Sequence, residues 1–370
     1  MKMMFHAGLV PLLAGFSLYS APLPQPALKD AFNVSFRIGA AINRSQFYDE
    51  DPRGVPIIKA QFNSITPENI LKWEFVHPKA DAYDFEAPDR YVRFGESNHM
   101  HIIGHTLIWH SQTPRWVFQD AKGNPVDRDT LLARMRDHIH TVVGRYQGRI
   151  KGWDVVNEAL YDNGTLRQSP WMRIIGEDYI AKAFEYAHEA DPSAQLHYND
   201  YSLEDEPKRK GAIALIQKLK AQGVPITAIG LQDHVKLDWP SPEQEDETLT
   251  ELSRLGLKLM ITELDVDVVP ATQHNRSADI AANTQGAIGQ NPYTNGLPEA
   301  VQQTLARRYA DLFRVYLKHR AEIDRVTFWG VTDGDSWLNS RGRVNHPLLF
   351  DRDGKPKPAF DAVIKVGAAK

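Results

Sequence analysis

Cysteine is missing from this chain of 370 residues. That absence removes disulfide frameworks, thiol nucleophiles, iron–sulfur clusters and Cys-type zinc sites together. It leaves the compartment open, because exported bacterial-type chains also lack cysteine. An excess of one charge is missing too: 43 Lys plus Arg face 47 Asp plus Glu, a formal net charge of -4, and no block of like charge exceeds Lys208-Arg209-Lys210. A basic nucleic-acid face is therefore a poor reading, and no nucleic-acid partner is expected. Long apolar runs are scarce. The clearest, Gly8–Phe16, is too short to span a bilayer, so no transmembrane span is expected. No Gly-x-Gly-x-x-Gly follows an early strand candidate, which argues against a dinucleotide-binding open sheet.

The Gly8–Phe16 run has the length of the apolar region of a secretion signal, although one positive charge precedes it and no clean small-x-small cleavage site follows. The other reading is a segment of a cytoplasmic chain that packs on its own domain. Of the two, export (extracellular, periplasmic or cell-envelope) is favoured. Pro22, Pro24 and Pro26 alternate beyond it and read as an extended spacer. Residues 1–26 are thus set apart, and 27–370 are read as one globular domain, expected to act as a monomer.

Within that domain, short apolar segments alternate with longer helix-period segments. Strand candidates are Phe36–Ala41, Phe62–Thr66, His101–Ile108, Lys151–Val156, Gln195–Tyr198, Ala228–Leu231, Leu257–Thr262 and Val326–Trp329. Between them, Asp127 caps a helix carrying Leu131, Met135, Ile139, Val142 and Tyr146. Ile213, Ile216 and Leu219 recur before Gly223, and Leu249, Leu252 and Leu255 before Gly256. A later helix carries Val301, Leu305, Tyr309, Leu312 and Tyr316, and the last starts at Pro358. Strand then helix, eight times over, predicts a single (β/α)8 TIM barrel with its active site at the C-terminal ends of the strands. An open doubly wound sheet is the alternative.

The strand ends are rich in carboxylates, amides and flat aromatics. The second gives Thr66-Pro67-Glu68-Asn69 and runs on to Lys72-Trp73-Glu74. The third gives Gly104-His105 through Trp109-His110-Ser111-Gln112, the fourth Trp153-Asp154-Val155-Val156-Asn157-Glu158, and the fifth Asn199-Asp200-Tyr201. Gly230-Leu231-Gln232-Asp233-His234, Ile261-Thr262-Glu263-Leu264-Asp265 and Thr327-Phe328-Trp329-Gly330 close the circuit, the last leading to Trp337. Glu158 and Glu263, on strands four and seven, face each other nearly across an eight-strand barrel. Two such carboxylates suit glycoside chemistry, one protonating the leaving oxygen while the other attacks or stabilises the anomeric carbon. A lone strand-end Glu more often meets solvent or a Lys. Asn157 beside Glu158 and Asp265 two residues beyond Glu263 favour the site, since residues two apart on a strand share a face.

In that order, from about Leu28 to Phe360, these strings resemble the family 10 glycoside hydrolases, the endo-β-1,4-xylanases. The resemblance implies retaining hydrolysis of xylan and xylo-oligosaccharides without a cofactor, with Glu158 as general acid/base and Glu263 as nucleophile. It implies that Asn157 binds the 2-hydroxyl of the sugar being cleaved, that His234 hydrogen-bonds the nucleophile and that Asp265 orients His234. It also makes Glu68, Asn69, Lys72, His105, Trp109, Gln112, Tyr201, Gln232, Trp329 and Trp337 sugar contacts. Polar groups for hydroxyls and flat rings for pyranose C–H faces fit that use. Asp233, where the family more often has a small residue, Ser202, where Asn is common, and Pro67, where Ala is frequent, depart from the pattern without removing a catalytic group.

The negative charge of Glu263 is expected to raise the pKa of Glu158 and keep it protonated for the first step. Trp329 and Trp337 are expected to crowd a hexose hydroxymethyl group, favouring xylan over cellulose, while Trp73, Trp116, Trp153 and Trp171 read as core. The long segment 266–298 is placed on the rim, shaping the leaving-group side, with Arg341 and Arg343 limiting the opposite end. Three rivals stand beside this reading. His99, His101, His105 and His110 would gather a metal only if the whole span were extended, and acidic partners are not supplied, so none is expected. A non-catalytic xylan-binding barrel would need neither glutamate. A retaining β-1,4-glucan hydrolase would share the pair and differ in the aromatic walls.

Overall fold

The computed structural model of the protein describes residues 26–270 and 291–369. The Gly8–Phe16 run, most of the proline spacer and residues 271–290 of the long segment lie outside the described residues, as does the side chain of Arg341. Nine strands form in chain order: β1 (Arg37–Ile42), β2 (Ser64–Pro67), β3 (His101–Ile108), β4 (Gly152–Asn157), β5 (Gln195–Asp200), β6 (Ala228–Leu231), β7 (His234–Lys236), β8 (Lys258–Asp267) and β9 (Ile323–Phe328). Eight of them pair parallel in the ring β1-β2-β3-β4-β5-β6-β8-β9, closed by β9 on β1 and by β6 on β8. This is the expected (β/α)8 barrel. The expected strands all form, because runs buried on both faces are what a parallel barrel demands of its staves.

β7 stands outside the ring. It pairs with an extension of β8, His234 opposite Asp265 and Lys236 opposite Asp267. β8 therefore runs five residues past its expected end at Thr262. Long-range pairing, not local propensity, sets that boundary.

The helices follow their caps. Asp127 accepts from Thr130 N at 2.7 Å to start Arg128–Arg145, which buries Leu131, Met135, Ile139 and Val142. Ser241 and Gln244 form a reciprocal capping box that starts Pro242–Ser253. Among the described residues, no helix is long and apolar enough to cross a membrane.

Alternation along the strands builds the floor of the site. His105, Asp154 and His197 are register neighbours on β3, β4 and β5, and the Asp154 carboxylate lies 2.9 Å from His105 Nδ1 and 3.1 Å from His197 Nδ1. Burial alone would raise its pKa, but the two histidines hold it well below the usual carboxylate range. Trp153 points to the opposite face. It is fully buried there because Gly104 leaves room: a Cβ on Gly104 would come within 2.1 Å of the indole. Trp73 and Trp171 are buried as expected, whereas Trp116 is only half-buried, with its ring edge on Trp73. The four histidines do not converge. His101 opens β3 and His105 lies four residues on, about 13 Å at the rise of a strand, while His110 lies past the strand end.

Candidate active site

Glu158 is the first residue after β4, held at φ 57°, and Glu263 lies within β8. The two staves are three steps apart around the ring on the side of β5 and β6, one step short of diametric and so nearly opposite, as expected from the sequence. Both carboxylates are buried. Glu158 Oε2 accepts from Trp109 Nε1 at 2.8 Å, and its Oε1 from Gln232 Nε2 at 3.0 Å and Asn157 Nδ2 at 3.2 Å. Glu263 Oε1 accepts from Asn199 Nδ2 at 2.8 Å, and its Oε2 lies 3.3 Å from His234 Nε2.

A string of amides joins the two acids. Asn157 Oδ1 accepts from Gln232 Nε2 at 3.3 Å and from Asn199 Nδ2 at 2.9 Å, so each amide that binds an acid also binds Asn157. Asn199 was not singled out from the sequence. It sits opposite Asn157 in the β4–β5 register, and that pairing of two strand-end amides was the available signal. Gly230 makes space for it, since a Cβ there would lie 2.3 Å from Asn199 Oδ1. Thr262 Oγ1 donates to the same oxygen at 2.6 Å.

The environments push the two acids apart. Burial raises Glu158 above the usual range; the N–H groups of Gln232 and Trp109 pull it back, and the charge of Glu263 adds to the rise. Burial is thus the larger cause, and the charge of Glu263 adds to it in the expected direction. Burial would raise Glu263 too, but the hydrogen bond from His234 and the fields of His105 and His234 outweigh it and hold Glu263 low. His234 is the source of that difference. Burial opposes its charge, yet Asp265 at 3.1 Å from Nδ1 and Glu263 on the other nitrogen push it to about 10. Asp265 is fixed in turn by Trp337 Nε1 at 2.8 Å.

The remaining wall is polar and aromatic. Lys72 Nζ donates to Asn69 Oδ1 and Gln112 Oε1, both at 2.9 Å, and lies 4.9 Å from the Trp109 ring centroid. Glu68 is pushed up to about 8 by burial and by the charge of Asp335, against the pull of Lys72, and its buried Oε1 has no hydrogen-bond partner among the described residues. Trp329 sets its ring edgewise to His105 at 5.2 Å and to His234 at 6.4 Å. Trp337 lies 5.0 Å from the His234 ring, so it belongs to the Asp265–His234 string as well as to the wall. Arg343 is committed to Asp267 at the end of β8, both bonds 2.8 Å.

Tyr201 departs from expectation. It is fully buried: its hydroxyl accepts from Arg167 Nη2 at 2.9 Å, and Lys208 Nζ lies 3.0 Å from its ring centroid. Those two cations come from the loop after β4 and the helix after β5, and they hold the ring and its hydroxyl in place.

Behind His234, Glu204, Asp233 and Glu245 bring carboxylate oxygens within 4.8 Å of one another, all three buried. This group is the one place among the described residues where several such ligands could share an ion, and it lies apart from the histidines of β3. Tyr316 donates to Asp233 Oδ2 at 2.7 Å, while among the described residues neither oxygen of Glu245 meets an N–H or hydroxyl donor.

The model of glycosyl hydrolase family 10 matches residues 27–366. The chain belongs to that family. This family 10 chain is 44% identical over 345 residues to endo-1,4-beta-xylanase A of Xylanibacter ruminicola, covering 92% of this chain and 94% of that protein. It is 41% identical to a beta-1,4-xylanase of Dictyoglomus thermophilum, over 92% and 91% of the two chains. Among solved structures, a family 10 endoxylanase from a sugarcane soil metagenome matches with a TM-score of 0.86 at 44% identity, over 93% of this chain and all of that one. A xylanase from Paenibacillus barcinonensis, in complex with a conduramine derivative, matches with a TM-score of 0.84 at 38% identity, over 92% and 98%.

Proposed function

We infer that this family 10 hydrolase cleaves internal β-1,4-xylosidic bonds of xylan and xylo-oligosaccharides with retention of configuration. The observation that carries the reading is the opposite tuning of two buried glutamates joined by one string of amides. Glu158, raised, is the acid biased towards keeping its proton; Glu263, lowered, is the one biased towards the carboxylate. In the first step Glu263 attacks the anomeric carbon while Glu158 gives its proton to the departing glycosidic oxygen. The glycosyl ester removes the charge on Glu263, which makes Glu158 easier to deprotonate. Glu158 then takes a proton from water as that water displaces Glu263. Retaining chemistry of this kind works with carboxyl groups about 5–5.5 Å apart. Asn157 and its two amide neighbours supply hydrogen-bonding groups for the sugar 2-hydroxyl beside the reacting carbon.

Product analysis on xylan and a ladder of xylo-oligosaccharides, with proton NMR of the first product, tests this directly. New reducing ends and the β anomer first are expected. The α anomer first would overturn the mechanism, and no release from xylan would leave the binding-barrel reading. Export belongs to the same proposal and rests on the Gly8–Phe16 run, and a monomeric state is proposed for the single domain. Mass spectrometry of the secreted chain and its size-exclusion volume check it, and a full-length protein retained in the cytoplasm would contradict it.

A further inference from the structure

We propose that Arg167, whose guanidinium holds the backbone around Glu158, is the positioning residue for that acid. The inference rests on the reading of Glu158 as the general acid/base. Glu158 is held at φ 57°, a left-handed conformation that costs a residue with a Cβ on the order of 1–2 kcal/mol. Something in the surroundings must hold it there. On one side the tether is the β5 backbone, with Glu158 N donating to Asn199 O at 2.9 Å. On the other side it is Arg167, whose Nε donates to the carbonyl of Glu158 itself at 3.2 Å.

The same guanidinium reaches further. Its Nη2 donates to Leu160 O at 3.3 Å and to the Tyr201 hydroxyl at 2.9 Å, and Arg167 N donates to Ala159 O at 2.7 Å. Three successive carbonyls, those of Glu158, Ala159 and Leu160, thus converge on one residue. Arg167 is buried, and its guanidinium also lies 5.0 Å from the Tyr161 ring centroid. Tyr201 is anchored in turn: its N–H donates to Asp200 Oδ1 at 2.9 Å, and Asp200 pairs with the buried Lys208 at 2.8 Å. The turn carrying Glu158 is therefore clamped to the C-terminal end of β5. A planar fork with several donors suits this task, and a lysine cannot reproduce it.

A misplaced acid has a signature that general loosening lacks. Proton donation matters for a poor leaving group and hardly at all for a very good one. The test is kcat/KM of Arg167→Ala on aryl β-xylobiosides, because kcat/KM reports the step in which the leaving group departs. We expect a loss of about tenfold or more on phenyl β-xylobioside and on xylan, and of less than about threefold on the 2,4-dinitrophenyl substrate. Arg167→Lys should recover only part of the loss. Equal losses on both aryl substrates, or no loss on either, would overturn the proposal. Glu158→Ala is measured alongside. If it shows no leaving-group dependence, the reading of Glu158 fails; if it shows the dependence and Arg167→Ala does not, only the role of Arg167 fails. Should Arg167→Ala not fold, Tyr201→Phe removes a single acceptor of the clamp. It should then show a smaller loss with the same dependence, and its absence would also count against the clamp.

Discussion

Glu245→Gln should change how stability responds to pH in a way that no surface substitution would. Glu245 sits in the first turn of Pro242–Ser253, fully buried, and among the described residues neither of its oxygens meets an N–H or hydroxyl donor, which leaves the carboxyl proton it shares with Asp233. Burial and the neighbouring charge of Glu204 push its pKa from 4.5 to about 8, against the pull of Arg308 and a hydrogen bond with Asp233. Glu204 and Asp233 are raised as well, each chiefly by burial. The folded protein therefore holds protons that the unfolded chain releases between pH 4.5 and about 8, and stability falls as pH rises through that window. For Glu245 alone the slope approaches about 1.4 kcal/mol per pH unit, on the order of 5 kcal/mol across the window. Glutamine is neutral throughout and adds an N–H that can donate to its two acid neighbours. Near pH 5 the variant should match the parent to within about 1 kcal/mol. By pH 9 it should be the more stable by a few kcal/mol, several degrees in Tm for a domain of this size. Urea midpoints and melting curves from pH 5 to 9 measure this. Parallel curves for the two proteins would refute the shared-proton account. So would a variant weaker at every pH together with a parent destabilised by EDTA, because the trio would then hold an ion rather than protons.

The other predictions concern the two glutamates and their supports. Trp109→Phe removes an N–H that lowers the pKa of Glu158; the alkaline limb of the kcat/KM profile should move up by roughly half a unit to one unit, and a downward move would contradict the assignment. Asp265→Asn removes the charge that does most to keep His234 protonated. Glu263 should then titrate higher, so the acid limb should shift upward with a selective loss of rate below about pH 6; an unchanged acid limb would remove His234 from the account. Trp337→Phe should lower activity through the lost N–H to Asp265 yet keep the xylose-to-glucose preference, whereas Trp337→Ala should relax that preference. An unchanged preference in the alanine variant, measured on matched aryl glycosides, would show that Trp337 does not police the sugar.

The barrel was legible because each stave carries a short apolar run of its own, and a run buried on both faces needs no partner to be recognised. Legibility ended where a feature depended on pairing between distant segments. β8 lengthens because His234–Lys236 lies beside it. Tyr201 stands in the expected string, but Arg167 and Lys208 decide where its ring points. Asn199 was visible as a strand-end amide, yet its use emerges only once β4 and β5 are in register. In each case the residue type is written locally and its direction is not.

The same distinction governs the two glutamates. Both are buried, so desolvation pushes both upward and cannot be what separates them. Their partners differ in charge. Glu158 receives neutral donors, the indole of Trp109 and the amides of Gln232 and Asn157, which soften the rise without reversing it. Glu263 receives one neutral amide, from Asn199, and one cation, His234. That imidazole is charged only because Asp265 lies on its far side, and Asp265 is held by Trp337. Acid and nucleophile are thus told apart by a proton on His234, with Asp265 between it and the Trp337 indole that helps keep it there. A variant that leaves both glutamates intact but neutralises His234 should bring their pKa values together, and with them should go the division of labour.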